Sequence, residues 1–284
     1  MKPSKFAKLA LLISTLLFII SCSDDDDHDH GTHVDTTIKV DVHGDEVVDQ
    51  TKKAANTITA STNFLFHDEE SEITGTLAIT GATADDVHIH PGYAGQTGIP
   101  IITLTDVDGD GTWTIPEDGE SLTAEQKALM EAGGYYINAH FDGNTTTLRG
   151  QLIFGDIEVV YAPLSKSADA ASTTGSGFAA ITTNKSTKEI ITYVTINGIT
   201  VTNVHIHFNK ETTDAAKFGS KLLTVDAADS TIYTSDNGTT DDSDSLTADQ
   251  FEEAQHGRWY VNVHTDANPT GELRAEFGEF GTHE

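Results

Sequence analysis

The sequence predicts an all-β protein built from two tandem domains, each a β-sandwich or barrel with one short helical crossover. Three observations support this fold class. Many short runs alternate apolar and polar residues, which is the period of half-buried strands. Glycine and aspartate turns separate these runs. The pattern also occurs twice, because Ile190 to His207 aligns without gaps over Ile73 to His90.

Each copy joins a His-x-His strand to a later Asn-x-His strand. In the first copy the alternation puts Val87 and Ile89 on the core face, and His88 and His90 on the opposite face. The later strands add Asn138 and His140, and the second copy repeats the set as His205, His207, Asn262 and His264. If the two strands pair, three imidazoles and one carboxamide per copy converge on one face.

A short helix is predicted between these strands in each copy. Thr123 with Gln126, and Thr247 with Gln250, have the spacing of a capping box. The helices are predicted to stop near Gly133 and Gly257.

The beginning of the chain predicts export and lipid anchoring. Residues 1–21 combine basic residues with an apolar run, as in a signal peptide, and end in a lipobox-like Ile-Ile-Ser before Cys22. Cys22 is the predicted lipidation site, and acyl chains there would hold the protein in the outer membrane, at the cell surface. Residues 22–53 are expected to be an acidic, disordered tether, followed by domain 1 (54–160), a linker (161–176) and domain 2 (177–284).

The composition narrows the classes of partner. The formal net charge is −29, so the surface repels nucleic acid phosphates and attracts cations. The chain has one cysteine, which excludes an intrachain disulfide. The domains must therefore be held together by their cores, with or without a metal.

The histidines are predicted to bind zinc or copper. Neutral imidazoles are good ligands for both metals, and two from one strand with a third from its neighbour make an open site with three nitrogens. The predicted ligands are His88, His90 and His140 in the first copy, and His205, His207 and His264 in the second. The alternative is a hydrogen-bonded cluster in which histidine, asparagine, tyrosine and arginine side chains satisfy one another.

A second candidate metal site lies in domain 1. The run from Asp106 to Glu117 fits the calcium-loop pattern D-x-D-x-D-G-x5-E. Its predicted oxygen ligands are Asp106, Asp108, Asp110 and Glu117. No helix-loop-helix pattern flanks the run, and an acidic hairpin loop without calcium remains the alternative.

The motifs together resemble the CHRD domain, a family named after chordin. The resemblance rests on a strand ending in V-H-I-H, a later S-L-T-A-x-Q segment, then Y-x-N-x-H and a closing G-E-L-R. It covers roughly residues 55–155 and 176–278. The second copy is the closer one, since the first has Phe141 and Thr147 in place of threonine and glutamate. The resemblance implies an immunoglobulin-like sandwich or barrel in an extracellular setting.

The expected function is a surface-anchored module that binds or adheres to an extracellular protein or glycan, with metal dependence conferred by the histidines. The alternative is a metalloenzyme like the copper–zinc superoxide dismutases, which also carry a His-x-His strand on a β-barrel. Those enzymes use a bridging histidine, an aspartate and a disulfide, and this chain has no second cysteine.

Overall fold

The structure is a computed structural model that describes residues 35–116, 120–208, 220–226, 229–235 and 245–281. Within these ranges the chain forms seventeen β-strands and two short α-helices. Every strand pair that involves two of these strands is antiparallel. The all-β class and the two tandem domains are therefore confirmed.

Domain 1 consists of two antiparallel sheets. The first has the order β1-β2-β3-β6, with β7 also beside β3, and the second has the order β5-β4-β8-β9. The strands are β1 (Asp35–Ile38), β2 (Thr59–His67), β3 (Glu72–Thr80), β4 (Asp86–Pro91), β5 (Ile102–Thr103), β6 (Thr112–Thr114), β7 (Glu120–Ser121), β8 (Tyr135–Phe141) and β9 (Thr146–Gln151).

Domain 2 is a closed barrel of eight strands in the order β10-β11-β12-β15-β14-β13-β16-β17. Pairing of Ser165 with Arg274 joins the last strand to the first and closes the ring. The strands are β10 (Ile157–Lys166), β11 (Ser176–Asn184), β12 (Ile190–Asn197), β13 (Asn203–Phe208), β14 (Ser220–Val225), β15 (Ile232–Thr234), β16 (Trp259–His264) and β17 (Leu273–Glu276).

Corresponding strands follow the same order in the two domains. The domains differ at two seams, which are places where two neighbouring strands pair in domain 2 but are joined only through isolated bridges in domain 1. The first seam lies between the segment that follows β1 and the strand β9 with the residues after it. In domain 1 the pairing there is reduced to isolated bridges, Lys39 with Ile153 and His43 with Arg149. The other seam is a single bridge between Thr105 and Thr114. Domain 1 is thus an opened version of the barrel in domain 2. The immunoglobulin-like arrangement that the resemblance implies stays a prediction.

The alternation read from the sequence matches the two cores. Val87 and Ile89 of β4 and Ile137 of β8 are fully buried in the core of domain 1. Val204 and Val261 occupy the corresponding positions in the barrel. The histidines of the same strands therefore lie on the outer face of each sheet, because neighbouring side chains of a strand point to opposite sides.

The helices lie where the capping motifs place them. Helix α1 (Ala124–Glu131) begins after Thr123, and α2 (Ala248–Gln255) begins after Thr247, each with both hydrogen bonds of a capping box. In the part of the chain that the structure describes, no helix has the length and apolar character of a membrane span.

The domain boundaries differ from those expected. Residues 35–53, assigned above to the disordered tether, include β1, which pairs with β2, and two 3₁₀ turns. Residues 161–166, assigned to the linker, continue β10, whose inner residues Val160 and Leu164 are buried in the barrel. Composition misled in both places, because polar residues also alternate along a strand with one solvated face. Residues 1–34, with Cys22, lie outside the described residues.

A small apolar cluster joins the domains. Ala94 of domain 1 packs with Ile157, Val159, Phe178 and Ala180 of domain 2. Beside it, Gly95 has φ +85, and a Cβ there would lie 2.9 Å from the Cβ of Tyr193. This position requires glycine for both reasons. The Tyr161 hydroxyl also contacts His43 Nε2 at 2.5 Å, so polar and apolar contacts both cross between the domains.

Candidate metal centres

The pairing of β4 with β8 brings the three histidines of domain 1 together. His88 lies opposite Asn138, and Asp86 lies opposite His140. The His88 ring centroid is 5.8 Å from that of His90 and 5.9 Å from that of His140. One ring nitrogen from each histidine lies within 4.8 Å of the other two.

Domain 2 repeats the arrangement on β13 and β16. His205 lies opposite Asn262, and Asn203 lies opposite His264. The ring centroid of His205 is 5.7 Å from that of His207 and 5.1 Å from that of His264. These three histidines also offer nitrogens within 4.8 Å of one another.

In one histidine of each site, a hydrogen bond to a backbone carbonyl determines which ring nitrogen is available to bind a metal ion. The carbonyl oxygen of Gly98 accepts a hydrogen bond from His90 Nδ1 at 2.9 Å, and that of Pro269 accepts one from His264 Nδ1 at 3.0 Å. A carbonyl can only accept, so in the neutral ring Nδ1 carries the proton and Nε2 keeps its lone pair. This outer hydrogen bond is the usual support for a metal-binding histidine.

Several ring nitrogens of the clusters are buried without a hydrogen-bond partner in the described part of the chain. They are His90 Nε2 in domain 1 and His205 Nδ1, His207 Nε2 and His264 Nε2 in domain 2. A buried polar atom of this kind is rare and calls for an explanation, such as an ion. The hydrogen-bonded cluster, the alternative to a metal, would leave no such atoms.

A tyrosine and an arginine support one histidine in each site. The rings of His90 and Tyr136 stack with centroids 4.9 Å apart, and the guanidinium carbon of Arg149 lies 3.6 Å from the centroid of the same tyrosine. Because β8 lies between β4 and β9, the tyrosine is held between the other two side chains. Domain 2 has the same stack of His207, Tyr260 and Arg274, with distances of 5.0 and 3.5 Å.

A glycine shapes the carboxamide beside the second site. Gly271 has φ +131, and a Cβ there would lie 2.2 Å from Asn262 Oδ1. The Asn262 side chain donates from Nδ2 to the carbonyl oxygen of Thr270 at 3.1 Å. Its amide is therefore fixed by the turn before β17, and its Oδ1 is turned away from this hydrogen bond.

Burial lowers the pKa values of four of the six candidate histidine ligands and so favours their neutral form. Burial, with the neighbouring histidines and Arg149, lowers the pKa of His90 to about 4. Burial, with His205, His264 and Arg274, lowers the pKa of His207 to about 4. Burial also lowers the pKa values of His140 and His205. Neutral imidazole is the form that binds metal, so the lowered pKa values favour the metal-binding form of these four histidines.

The lowered pKa of His207 predicts an acid-sensitive fold in the metal-free protein. Between pH about 6.5 and about 4 the unfolded chain protonates this histidine and the folded chain does not, so stability falls as the pH falls. Relative to His207→Gln, the wild type should lose about 1–2 kcal/mol more unfolding free energy between pH 7.5 and 4.5, allowing for solvent screening.

Urea denaturation with a chelator, at both pH values, measures this difference. The glutamine variant cancels the titration of other groups, including the buried Glu46. Equal losses in the two proteins would show that His207 titrates normally in the folded state.

The acidic loop of domain 1 is organised by its own carboxylates. The Asp106 carboxylate accepts hydrogen bonds from the backbone N–H groups of Gly109, Asp110 and Gly111. Asp110 accepts one from the N–H of Thr112. Among the described residues the loop aspartates do not converge as the histidines do, and Glu117 lies outside those residues. Calcium binding by Asp106, Asp108, Asp110 and Glu117 stays a prediction.

Some supporting groups of the first site were not expected from the sequence. Gly98 contributes only a backbone carbonyl, which no residue pattern reveals. Glu46 accepts a hydrogen bond from the N–H of Gln151 at 2.8 Å and lies near the buried Arg149. It comes from a stretch expected to be disordered. The alternation along β4 puts Asp86 on the same face as His88 and His90, so this residue could have been noticed in the sequence.

Comparison with known proteins supports the resemblance. The model of the CHRD domain family matches residues 38–152 and again residues 160–277. No curated protein matches the chain, and no solved structure does. The two matched ranges coincide with the opened barrel and the closed barrel, including their histidine clusters. The chain therefore belongs to the CHRD domain family, of which it carries two tandem copies.

Proposed function

We propose that each CHRD domain binds one transition metal ion, Zn²⁺ or Cu²⁺, through its three histidines, and that the chain is an extracellular binding or adhesion module that depends on these ions. The partner is an extracellular protein or glycan. Anchoring in the outer membrane through a lipidated Cys22, with the domains at the cell surface, is part of the same proposal.

One observation carries the metal proposal. Both domains place three imidazoles on the outer face of a sheet, with ring nitrogens within 4.8 Å of one another. His90 Nε2, His207 Nε2 and His264 Nε2 are buried and lack a hydrogen-bond partner among the described residues. Three neutral nitrogen donors are a ligand set that suits zinc and copper.

The charge of the chain is consistent with this role. A net charge of −29 raises the local concentration of cations and opposes binding to nucleic acid. A binding function also fits the architecture, since each site lies on the outer face of a sheet.

The superoxide-dismutase alternative has less support. A copper–zinc pair needs a second set of ligands with a bridging histidine and an aspartate. The described residues contain one group of three histidines per domain and no further convergent set of histidine, cysteine or acidic ligands. No observation in these ranges favours catalysis over binding.

Metal stoichiometry tests the proposal. The acidic tether carries three further histidines, His28, His30 and His33, which could bind metal on their own. In the mature chain with these three changed to glutamine, we expect about two zinc ions per chain by equilibrium dialysis and elemental analysis. His205→Gln with His264→Gln should reduce this to about one, because two of three ligands are lost. The same change at His88 and His140 should do likewise.

His256→Gln is the matched control, because this histidine is the C-cap residue of α2, where its Nδ1 donates a hydrogen bond to the carbonyl oxygen of Glu252. It should leave the stoichiometry unchanged. Circular dichroism confirms that each variant is folded. An unchanged stoichiometry in folded variants that lack both pairs of histidines would refute the proposal.

A further inference from the structure

The two histidine clusters differ at one position of the same strand. In domain 1 the strand reads Asp86, Val87, His88, and in domain 2 it reads Asn203, Val204, His205. The register is the same, because Asp86 lies opposite His140 and Asn203 lies opposite His264. A carboxylate in one domain therefore stands where the other domain has a carboxamide.

The position of Asp86 allows it to reach an ion held by the histidines. Asp86, His88 and His90 alternate along β4 and so share one face. Residues directly opposite in an antiparallel pair have Cβ atoms about 4.5–5.5 Å apart, so Asp86 and His140 can contact one ion. Asp86 is half-buried, whereas Asn203 is exposed.

The present contacts of Asp86 are weak enough to exchange. Its carboxylate accepts a hydrogen bond of 3.4 Å from Asn144 Nδ2. It is not among the atoms that already converge with the three histidines, so rotation of the side chain is needed. A divalent ion is a much stronger partner for a carboxylate than a long amide hydrogen bond.

We propose that Asp86 is the fourth metal ligand in domain 1, and that domain 2 keeps an open coordination position that takes a small anionic ligand, such as a carboxylate group. This inference rests on the proposed metal binding. It gives the chain one closed site, which stabilises domain 1, and one open site, which binds a ligand.

Charge favours the same division. A divalent ion with three neutral imidazoles keeps a charge of +2, and a carboxylate ligand reduces it to +1. Each site has a guanidinium nearby, Arg149 in domain 1 and Arg274 in domain 2, so the difference in charge between the sites comes from Asp86 and Asn203. The exposed side chain of Leu222, opposite His205, lies at the rim and leaves an apolar surface beside the ion. An anion with an apolar body fits this surface.

The test uses Co²⁺, whose visible spectrum reports its coordination, and azide as the small anion. Two single-site proteins are prepared: one with His205→Gln and His264→Gln, and one with His88→Gln and His140→Gln. We expect azide to shift the spectrum of the protein that keeps the domain 2 site and to leave the other unchanged. Asp86→Asn should create an azide response in domain 1 and weaken Co²⁺ binding about tenfold or more. Asn203→Asp should remove the response in domain 2.

The possible results separate the two proposals. If neither single-site protein binds Co²⁺, the metal proposal itself fails. If both bind Co²⁺ and both respond to azide, with no effect of Asp86→Asn, metal binding stands and the role of Asp86 is refuted. Asp85→Asn is the control for charge alone, because Asp85 is the exposed neighbour that accepts a hydrogen bond from Gly143 N–H. It should preserve the closed spectrum.

Discussion

Replacing Arg149 with alanine is expected to reduce the unfolding free energy of domain 1 by about 3–5 kcal/mol. Arg149 is 3% exposed, and its guanidinium donates to the carbonyl oxygens of Gln96 and Tyr93 and to Gln151 Oε1. Its removal deprives all three acceptors of this donor, although the Tyr93 carbonyl keeps the hydrogen bond from the Gln96 N–H. It also leaves Glu46 buried without the positive charge that opposes the rise in its pKa.

The same substitution should weaken metal binding in domain 1. Arg149 covers Tyr136, which stacks on His90, and it holds the loop whose Gly98 carbonyl accepts from His90. Loss of this outer support should lower affinity about 10–100-fold. Chemical denaturation followed by Trp113 fluorescence measures the stability, and metal titration measures the affinity.

Arg274→Ala is the matched control in domain 2. Arg274 stacks on Tyr260 in the same way, but it is half-exposed and its ion pair with Glu276 at 2.8 Å is close to solvent. Its loss should cost about 1 kcal/mol or less. Similar losses from the two substitutions would contradict the importance given to burial of Arg149.

Replacing Trp259 with alanine is expected to destabilise the barrel by about 3–5 kcal/mol. The side chain is fully buried and packs against Phe208, Phe277 and Phe280, with ring centroids 6.4, 5.3 and 5.7 Å away. Its truncation leaves a large cavity in a layer of aromatic rings. Because Trp259 begins the strand that carries His264, metal binding in domain 2 should weaken as well.

Thermal denaturation by circular dichroism measures this effect. Trp113→Ala is the comparison, since Trp113 is only half-buried at the edge of the domain 1 core and should cost less. Trp259→Phe, which keeps an aromatic ring, should recover most of the stability. A loss below about 1 kcal/mol for the alanine variant would mean that the neighbouring rings close the cavity.

Local patterns predicted much of the fold and the positions of the histidines. The period of two along β4 and β8 fixes the face of every residue, so the convergence of His88, His90 and His140 needs only the correct pairing of two strands. Capping boxes are equally local, and both helices begin directly after the predicted N-cap threonine.

Features that depend on distant contacts could not be read in this way. Closure of the barrel rests on a short seam at Ser165 and Lys166, and the same order of strands stays open in domain 1. Gly98 acts through its backbone carbonyl oxygen, which accepts the hydrogen bond from His90 Nδ1, and a carbonyl is present in every residue. Glu46 meets Gln151 from more than 100 positions away. The spacing of residues in the sequence does not predict such long-range contacts.

The short connection between the domains affects how a partner with several binding groups would be held. Strand β9 ends at Gln151 and β10 begins at Ile157, with Ile153 bridged to Lys39 and the carbonyl of Asp156 accepting from Lys185 N–H. Because both ends of this connection are hydrogen-bonded to the domains, it allows little movement of one domain relative to the other. The two domains therefore present their surfaces at a nearly fixed separation, and avidity would be gained only by a partner whose binding groups match that separation.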